Sequence, residues 1–113
     1  MSDEPQHKED DALYMLIRDG KIDAFNQARS EGMSYDLTGA DFRGVSLRGI
    51  DAAGVDFSNC YFRQADLRGL DLSQANLHGA SIHAAKISGV LFPTGLRADE
   101  ITLSLVHGTR LRY

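Results

Sequence analysis

Residues 65–79 read Ala65-Asp-Leu-Arg-Gly-Leu-Asp-Leu-Ser-Gln-Ala-Asn-Leu-His-Gly79, and this stretch decides the fold. An apolar residue returns at every fifth position, at Leu67, Leu72 and Leu77, and a second apolar residue, usually small, stands two places before each. Extended outward from here, the frame holds from Tyr35 to Thr94. The large slot is filled by Leu37, Phe42, Leu47, Ala52, Phe57, Phe62, Leu67, Leu72, Leu77, Ile82, Ile87 and Phe92. The small slot is filled by Tyr35, Ala40, Val45, Ile50, Val55, Cys60, Ala65, Leu70, Ala75, Ala80, Ala85 and Val90. A helical face recurs every 3.6 residues and a strand face every two, so neither element explains a period of five. Twelve units in one phase mark a repeat architecture.

The flanks have a different character. Residues 1–10 are polar and charged without periodicity, which predicts disorder. Residues 11–33 read as a helical hairpin, with Leu13, Leu16 and Ile17 on one face, Ile22, Phe25 and Ala28 on another, and Gly20 and Gly32 as stops. After Pro93, Arg97–His107 carries Ile101, Leu103, Leu105 and Val106 and ends at Gly108, the pattern of a short amphipathic helix. The expected organisation is a single domain over 1–113, with a helical N-terminal cap at 11–33, repeats at 35–94 and a C-terminal helical cap and tail at 95–113. Caps are needed because few repeats leave apolar rungs and unpaired strand edges at both ends.

The net charge of −4 gives no overall basic footprint for nucleic acid or an anionic membrane. Residues 1–34 hold eight acids and four bases, 35–94 six and five, and 95–113 two and three, so the acidic excess sits at the N-terminal end. The start lacks the basic and apolar regions of a signal peptide, and no later run approaches a membrane span. One cysteine excludes an internal disulfide framework. Together these lead to the expectation of a cytoplasmic protein.

The segments Ala40-Asp-Phe-Arg-Gly44, Ala65-Asp-Leu-Arg-Gly69 and Ala75-Asn-Leu-His-Gly79 resemble the Ala-(Asp/Asn)-Leu-X-X signature of the pentapeptide-repeat family. The resemblance implies an all-β solenoid with helical caps: a right-handed quadrilateral β-helix, four units to a coil and about three coils. Units twenty residues apart then stack into ladders at the ~4.8 Å spacing of neighbouring strands. Asp36, Asp56 and Asn76 align on one face. Arg43, Arg63 and His83 align on the next, beside Asp41 and Tyr61. Arg48, Arg68 and Lys86 share the third face with Asp66, and Asp51 and Asp71 the fourth. Two adjacent faces are thus expected to be acidic and two basic.

Little in the chain reads as catalytic. Cys60 fills an inward slot, where a thiol behaves as a small hydrophobe. His78 and His83, with Asp41 or Asp56 nearby, fall short of the three or four converging ligands a metal needs. There is no nucleophile elbow and no phosphate loop, and the glycines at 39, 44, 49, 54, 69, 79 and 89 occupy the repeat's corner rather than a phosphate cradle. The expectation is no enzyme activity, no metal and no cofactor.

The stronger reading is a rigid protein-binding or assembly module whose protein partner is unidentified. The candidate partner surface is Arg43, Tyr61, Arg63 and His83, because Tyr61 is a large aromatic, set among arginines, at a position where the pattern expects Asp or Asn. Leu91 departs from the pattern in the same way. Direct nucleic-acid binding and membrane association are not expected, and a homodimer through a terminal cap fits the same pattern. The alternative that the resemblance implies is a DNA-mimic protein binding DNA gyrase or topoisomerase, although such members are longer and more uniformly acidic. The structural core is expected at Leu37, Phe42, Leu47, Phe57, Phe62, Leu67, Leu72, Leu77, Ile82, Ile87 and Phe92.

Overall fold

The computed structural model describes residues 4–113. In the repeats, parallel bridges join residues twenty apart: Asp41 to Tyr61, Tyr61 to Ser81, Ser46 to Asp66, Asp66 to Lys86, Asp56 to Asn76 and Asp71 to Leu91. Four five-residue units therefore make one coil, and residues 35–54, 55–74 and 75–94 stack as three. In each rung the second residue of a unit bonds to the coil below: Tyr61 N–H donates to Ala40 O at 3.0 Å, and Phe42 N–H donates to Tyr61 O at 2.9 Å. The third-residue N–H and the first-residue C=O point the other way, up to the next coil.

The ladders are β-helix-like, yet they consist of isolated bridges rather than continuous strands. Each side of a coil runs straight only briefly before its fifth residue turns the corner. That residue is left-handed at most units, including the non-glycine positions Asn59 (φ 60°), Gln64 (φ 59°) and Ala84 (φ 57°).

The second residue has a backbone task. Side chains of Asp36, Asp41, Ser46, Asp51, Asp56, Asp66, Asp71 and Asn76 each accept the N–H of the residue two places on. Such a short carbonyl or hydroxyl side chain pins the turn at each corner. Where Leu91 replaces the acceptor, residue 93 is proline and has no N–H to satisfy.

Inside, Phe42 and Phe62 stack at 5.5 Å with planes 8° apart, and Phe57 meets Phe62 edge-on at 5.4 Å. Such aromatic pairs contribute beyond the area they bury. The expected core is buried except at its last two members, Ile87 and Phe92 of the final coil, which are half-buried and packed against it. Ala52, small where its neighbours carry Leu or Phe, borders a cavity of about 110 Å³ between the first two coils.

The N-terminal hairpin comprises α1 (Ala12–Arg18) and α2 (Ile22–Ser30). Asp11 caps α1 by accepting from Leu13 and Tyr14 N–H, and its other carboxylate oxygen takes Asp36 N–H at 2.8 Å. Tyr14, Ile17 and Phe25 are fully buried on the first coil. The hairpin also bonds that coil's open edge on its second and fourth sides. Tyr14 Oη and Arg18 Nη1 donate to Asp41 O. Asn26 accepts Asp51 N–H and donates to Gly49 O, and Arg29 donates to Asp51 O and Ala53 O.

Disorder had been expected for residues 1–10. In the described part, Gln6 pairs in parallel with Ala40, donating to Gly39 O at 3.0 Å and accepting from Asp41 N–H at 2.9 Å. The rest of that expectation, residues 1–3, lies outside the described residues.

At the other end α3 (Ala98–His107) stops at left-handed Gly108 (φ 74°). It turns Ile101, Ser104 and Leu105 inward, whereas Leu103 and Val106, expected on the packed face, point out. The reason is the strand edge. Fully buried Ser104 accepts Ile82 N–H at 3.0 Å through Oγ, and Leu105 O accepts Ala84 N–H at 3.0 Å. The tail continues the seal: Leu111 exchanges hydrogen bonds with Gly79 and Ala80, and Tyr113 Oη accepts Leu77 N–H at 2.8 Å.

Candidate partner-binding face

Four sides, three coils deep, present the charges. Within the repeats Arg43, Arg48, Arg63, Arg68 and Lys86 all lie on the second and third sides, with Asp41 and Asp66. The first and fourth sides hold Asp36, Asp51, Asp56 and Asp71 without a base. The expected polarity follows from the twenty-residue register alone.

The basic residues fall into two kinds. Where a unit pairs a second-position Asp with a fourth-position Arg, the arginine folds back bidentately. Arg43 meets both Asp41 oxygens at 2.9 Å, and Arg68 meets those of Asp66 at 2.9 and 2.7 Å. These bonds from the guanidinium hold the Asp41 and Asp66 carboxyls below the usual carboxylate range. The arginines are correspondingly rigid but half neutralised. Where the second residue is not an acid, the arginine has no such partner: Arg48 follows Ser46 and Arg63 follows Tyr61. Both are exposed, as is Lys86, and none forms an ion pair among the described residues.

The four proposed surface residues therefore have different fates. Arg63 stands free on the second side and Arg43 is pinned by its aspartate. Tyr61 is half-buried: Arg110 of the tail bonds its hydroxyl at 2.6 Å and lies 5.3 Å from its ring centroid. His83 is half-buried against Gly108, its Nδ1 buried without a hydrogen-bond partner. Tyr61, the residue out of pattern, is thus engaged within the chain as a latch for the C-terminal tail. No pattern in the repeat names Arg110 as its mate, since the two lie 49 residues apart.

Other candidate chemistry is accounted for by packing. Cys60 is 1% exposed, its Sγ 2.8 Å from Leu37 O, and burial pushes its thiol up to about 12. His78 tilts against Tyr113 at 5.1 Å. Among the described residues no three His, Cys, Asp or Glu converge to hold a metal. An open hollow of about 500 Å³ lies beside residues 6–11 and Asp36. Two of its acids are already occupied, Asp36 by Lys8 at 3.4 Å and Asp11 by backbone N–H groups. No described helix is long and apolar enough to cross a membrane.

A filled stack of short repeats, sealed by helices and displaying fixed rows of charge, defines a solenoid repeat protein with its chemistry on the outside. The particular kind follows from the unit. The chain belongs to the pentapeptide-repeat family, whose model, described as pentapeptide repeats in 8 copies, matches residues 36–69 and 56–92. No curated protein and no solved structure matches the chain.

Proposed function

We propose that this chain is a non-catalytic, rigid binding module that docks a protein partner against its second and third sides. The family's repeats are compatible with the right-handed, square-sectioned coil inferred from the sequence. The observation that carries the reading is the segregation of charge, with Arg48, Arg63 and Lys86 unpaired around one corner while the acids occupy the opposite sides. Ladder-fixed backbone and pinned Arg43 and Arg68 keep the ordering cost on binding small. A partner with an acidic surface fits this corner, and electrostatic complementarity would steer the encounter and select against like-charged proteins. A DNA-like surface would need acids continued around the coil, and here five bases interrupt them.

The test is a binding comparison once a partner has been isolated by affinity capture. Arg48→Glu with Arg63→Glu should weaken it by at least ~2 kcal/mol, about thirtyfold in Kd, without lowering Tm. Asp56→Asn with Asp71→Asn, which keeps the turn acceptors, should do little. The opposite ranking, or inhibition of gyrase in a supercoiling assay, would overturn this reading in favour of a DNA mimic.

A further inference from the structure

The N-terminal cap does not treat the four sides of the first coil alike. Groups that point down are bonded by Asp11 on the first side, by Gln6, Tyr14 and Arg18 on the second, and by Asn26 and Arg29 on the fourth. On the third side, short of its corner Gly49, none is bonded among the described residues: Ser46 N–H, Ser46 C=O and Arg48 C=O have no partner. Their equivalents in the last coil all bond the rung beneath, Lys86 exchanging with Ala65 and Leu67 and Ser88 O accepting Gly69 N–H. The hairpin touches the coil on either side of this rung. Arg18 bonds Asp41 O on the second side, and α2 meets the Gly49 corner, where Asn26 donates to Gly49 O. Val45, the small-slot residue of the third side, is accordingly half-buried, whereas Ala40 and Ile50 on the flanking sides are buried.

We propose that this rung seats an acidic, extended segment of the partner, added in parallel as one more strand below the first coil. This rests on the protein-binding reading above and names the element of the partner that is bound. The fold already uses the same device. Gln6 adds to the second side by donating to Gly39 O and accepting from Asp41 N–H, and Leu111 seats likewise on Gly79 and Ala80 at the other end. An extended peptide carries C=O and N–H groups at the spacing of the ladder. One residue's C=O takes Ser46 N–H, and the N–H groups of the residues two and four places on reach Ser46 O and Arg48 O. A bare anion would meet only the first of these, because the other two groups are acceptors.

Charge selects the strand. Arg48 stands beside the rung, exposed and without an ion pair among the described residues, and the third side above it carries Arg68 and Lys86 against Asp66 alone. Exposed Asp19 and Lys21 of the α1–α2 turn offset one another. Acids at the outward positions of the added strand lie beneath Ser46 and Arg48, and apolar residues at the inward positions cover Val45 and Leu47. Another copy of this chain does not fit here, because its last coil, stacked in register, would bring Lys86 under Ser46 and beside Arg48.

The probe is a blocked, fluorescent Glu-Val-Glu-Val-Glu-Val-Glu peptide, titrated into the full chain by anisotropy up to ~1 mM, the range of a contact held by a few main-chain hydrogen bonds. Saturable binding is expected, with NMR shifts at the amides of Ser46 and Leu47, and the same peptide with lysine for glutamate should bind at least ~10-fold more weakly. Ser46→Pro removes an N–H that bonds nothing in the fold and should weaken binding at least ~10-fold. Ser46→Ala, which loses only the 3.4 Å bond that its hydroxyl accepts from Arg48 N–H, should bind as the parent does. Methylating the peptide's valine nitrogens, which face the rung when the valines point inward, should abolish binding to the unaltered protein, and methylating the glutamate nitrogens should not. No binding, shifts at Ile87 and Phe92 in place of Ser46, or equal binding of the two methylated peptides overturns the inference. Weakening by Arg48→Glu with none by Ser46→Pro also overturns the added strand, while leaving the charge-steered docking of the preceding section in place.

Discussion

Replacing Ala84 by glycine should stabilise the protein, the reverse of the usual effect of glycine. Ala84 closes its unit at φ 57°, a left-handed conformation in which an L-residue's Cβ crowds the next carbonyl at roughly 1–2 kcal/mol. The methyl recovers little, because the residue is exposed and its N–H reaches Leu105 O through the backbone whatever the side chain. Against the relief stands glycine's greater freedom in the unfolded chain, about 0.4–1 kcal/mol. The balance is a gain of about 0.5–1 kcal/mol, or a Tm rise of about 2–5 °C for a chain of this size. The same substitution ranks its relatives. Gln64 (φ 59°) should respond like Ala84, and Asn59 (φ 60°) should gain least, since asparagine tolerates this region. Gly79→Ala runs the other way: at φ 78° alanine meets the left-handed penalty of roughly 1–2 kcal/mol, and its Cβ also obliges the exposed Asn59 side chain to swing aside. Thermal and urea melts of the set, with unchanged far-UV circular dichroism, measure these differences. An Ala84→Gly protein melting at or below the parent temperature would show that the corner is not strained as argued.

Leu67→Asp should abolish the cooperative melt while Arg68→Ala shifts it by less than ~1 kcal/mol, since one buries a carboxylate mid-stack and the other only frees an exposed ion pair; similar melts for the two would refute the repeat register. Acid should destabilise the fold. Asp36, Asp41 and Asp71 have folded values held below the ordinary carboxylate range, Asp36 and Asp71 by the hydroxyls of Thr38 and Ser73 and Asp41 by Arg43. Their contribution is therefore full above the unfolded value of about 3.9 and lost as pH falls through the folded ones. Tm measured from pH 6 to pH 2 should fall most steeply at the bottom of that range. Asp41→Asn, which can keep the turn acceptor but has no charge to protonate, should flatten the drop. An acid limb unchanged by that substitution would exclude Asp41 as a contributor.

How much could be read in advance depended on whether a contact repeats. The inward slots, the twenty-residue register and the split of charge between sides are properties of a period. Leu67 stacks as Leu47 and Ile87 do, and one correct frame places them all. The helices were legible for a local reason, the glycine stops and apolar spacing of residues 11–33 and the αL cap at Gly108. The ends of the stack have no period. Tyr14 on Asp41, Asn26 on Gly49 and Asp51, Ser104 on Ile82 and Arg110 on Tyr61 join residues 22 to 49 apart through single side chains. Each exists because an open rung exposes a specific N–H or C=O that only the folded coil positions. The chain's order thus determined the coil and its charged sides by itself. Which arginines pair is local too, Arg43 and Arg68 folding onto the aspartate two places before while Arg48 and Arg63 follow Ser46 and Tyr61. Tertiary structure alone turned Tyr61 and His83 toward the C-terminal cap, because those contacts depend on which distant side chains the cap brings within reach.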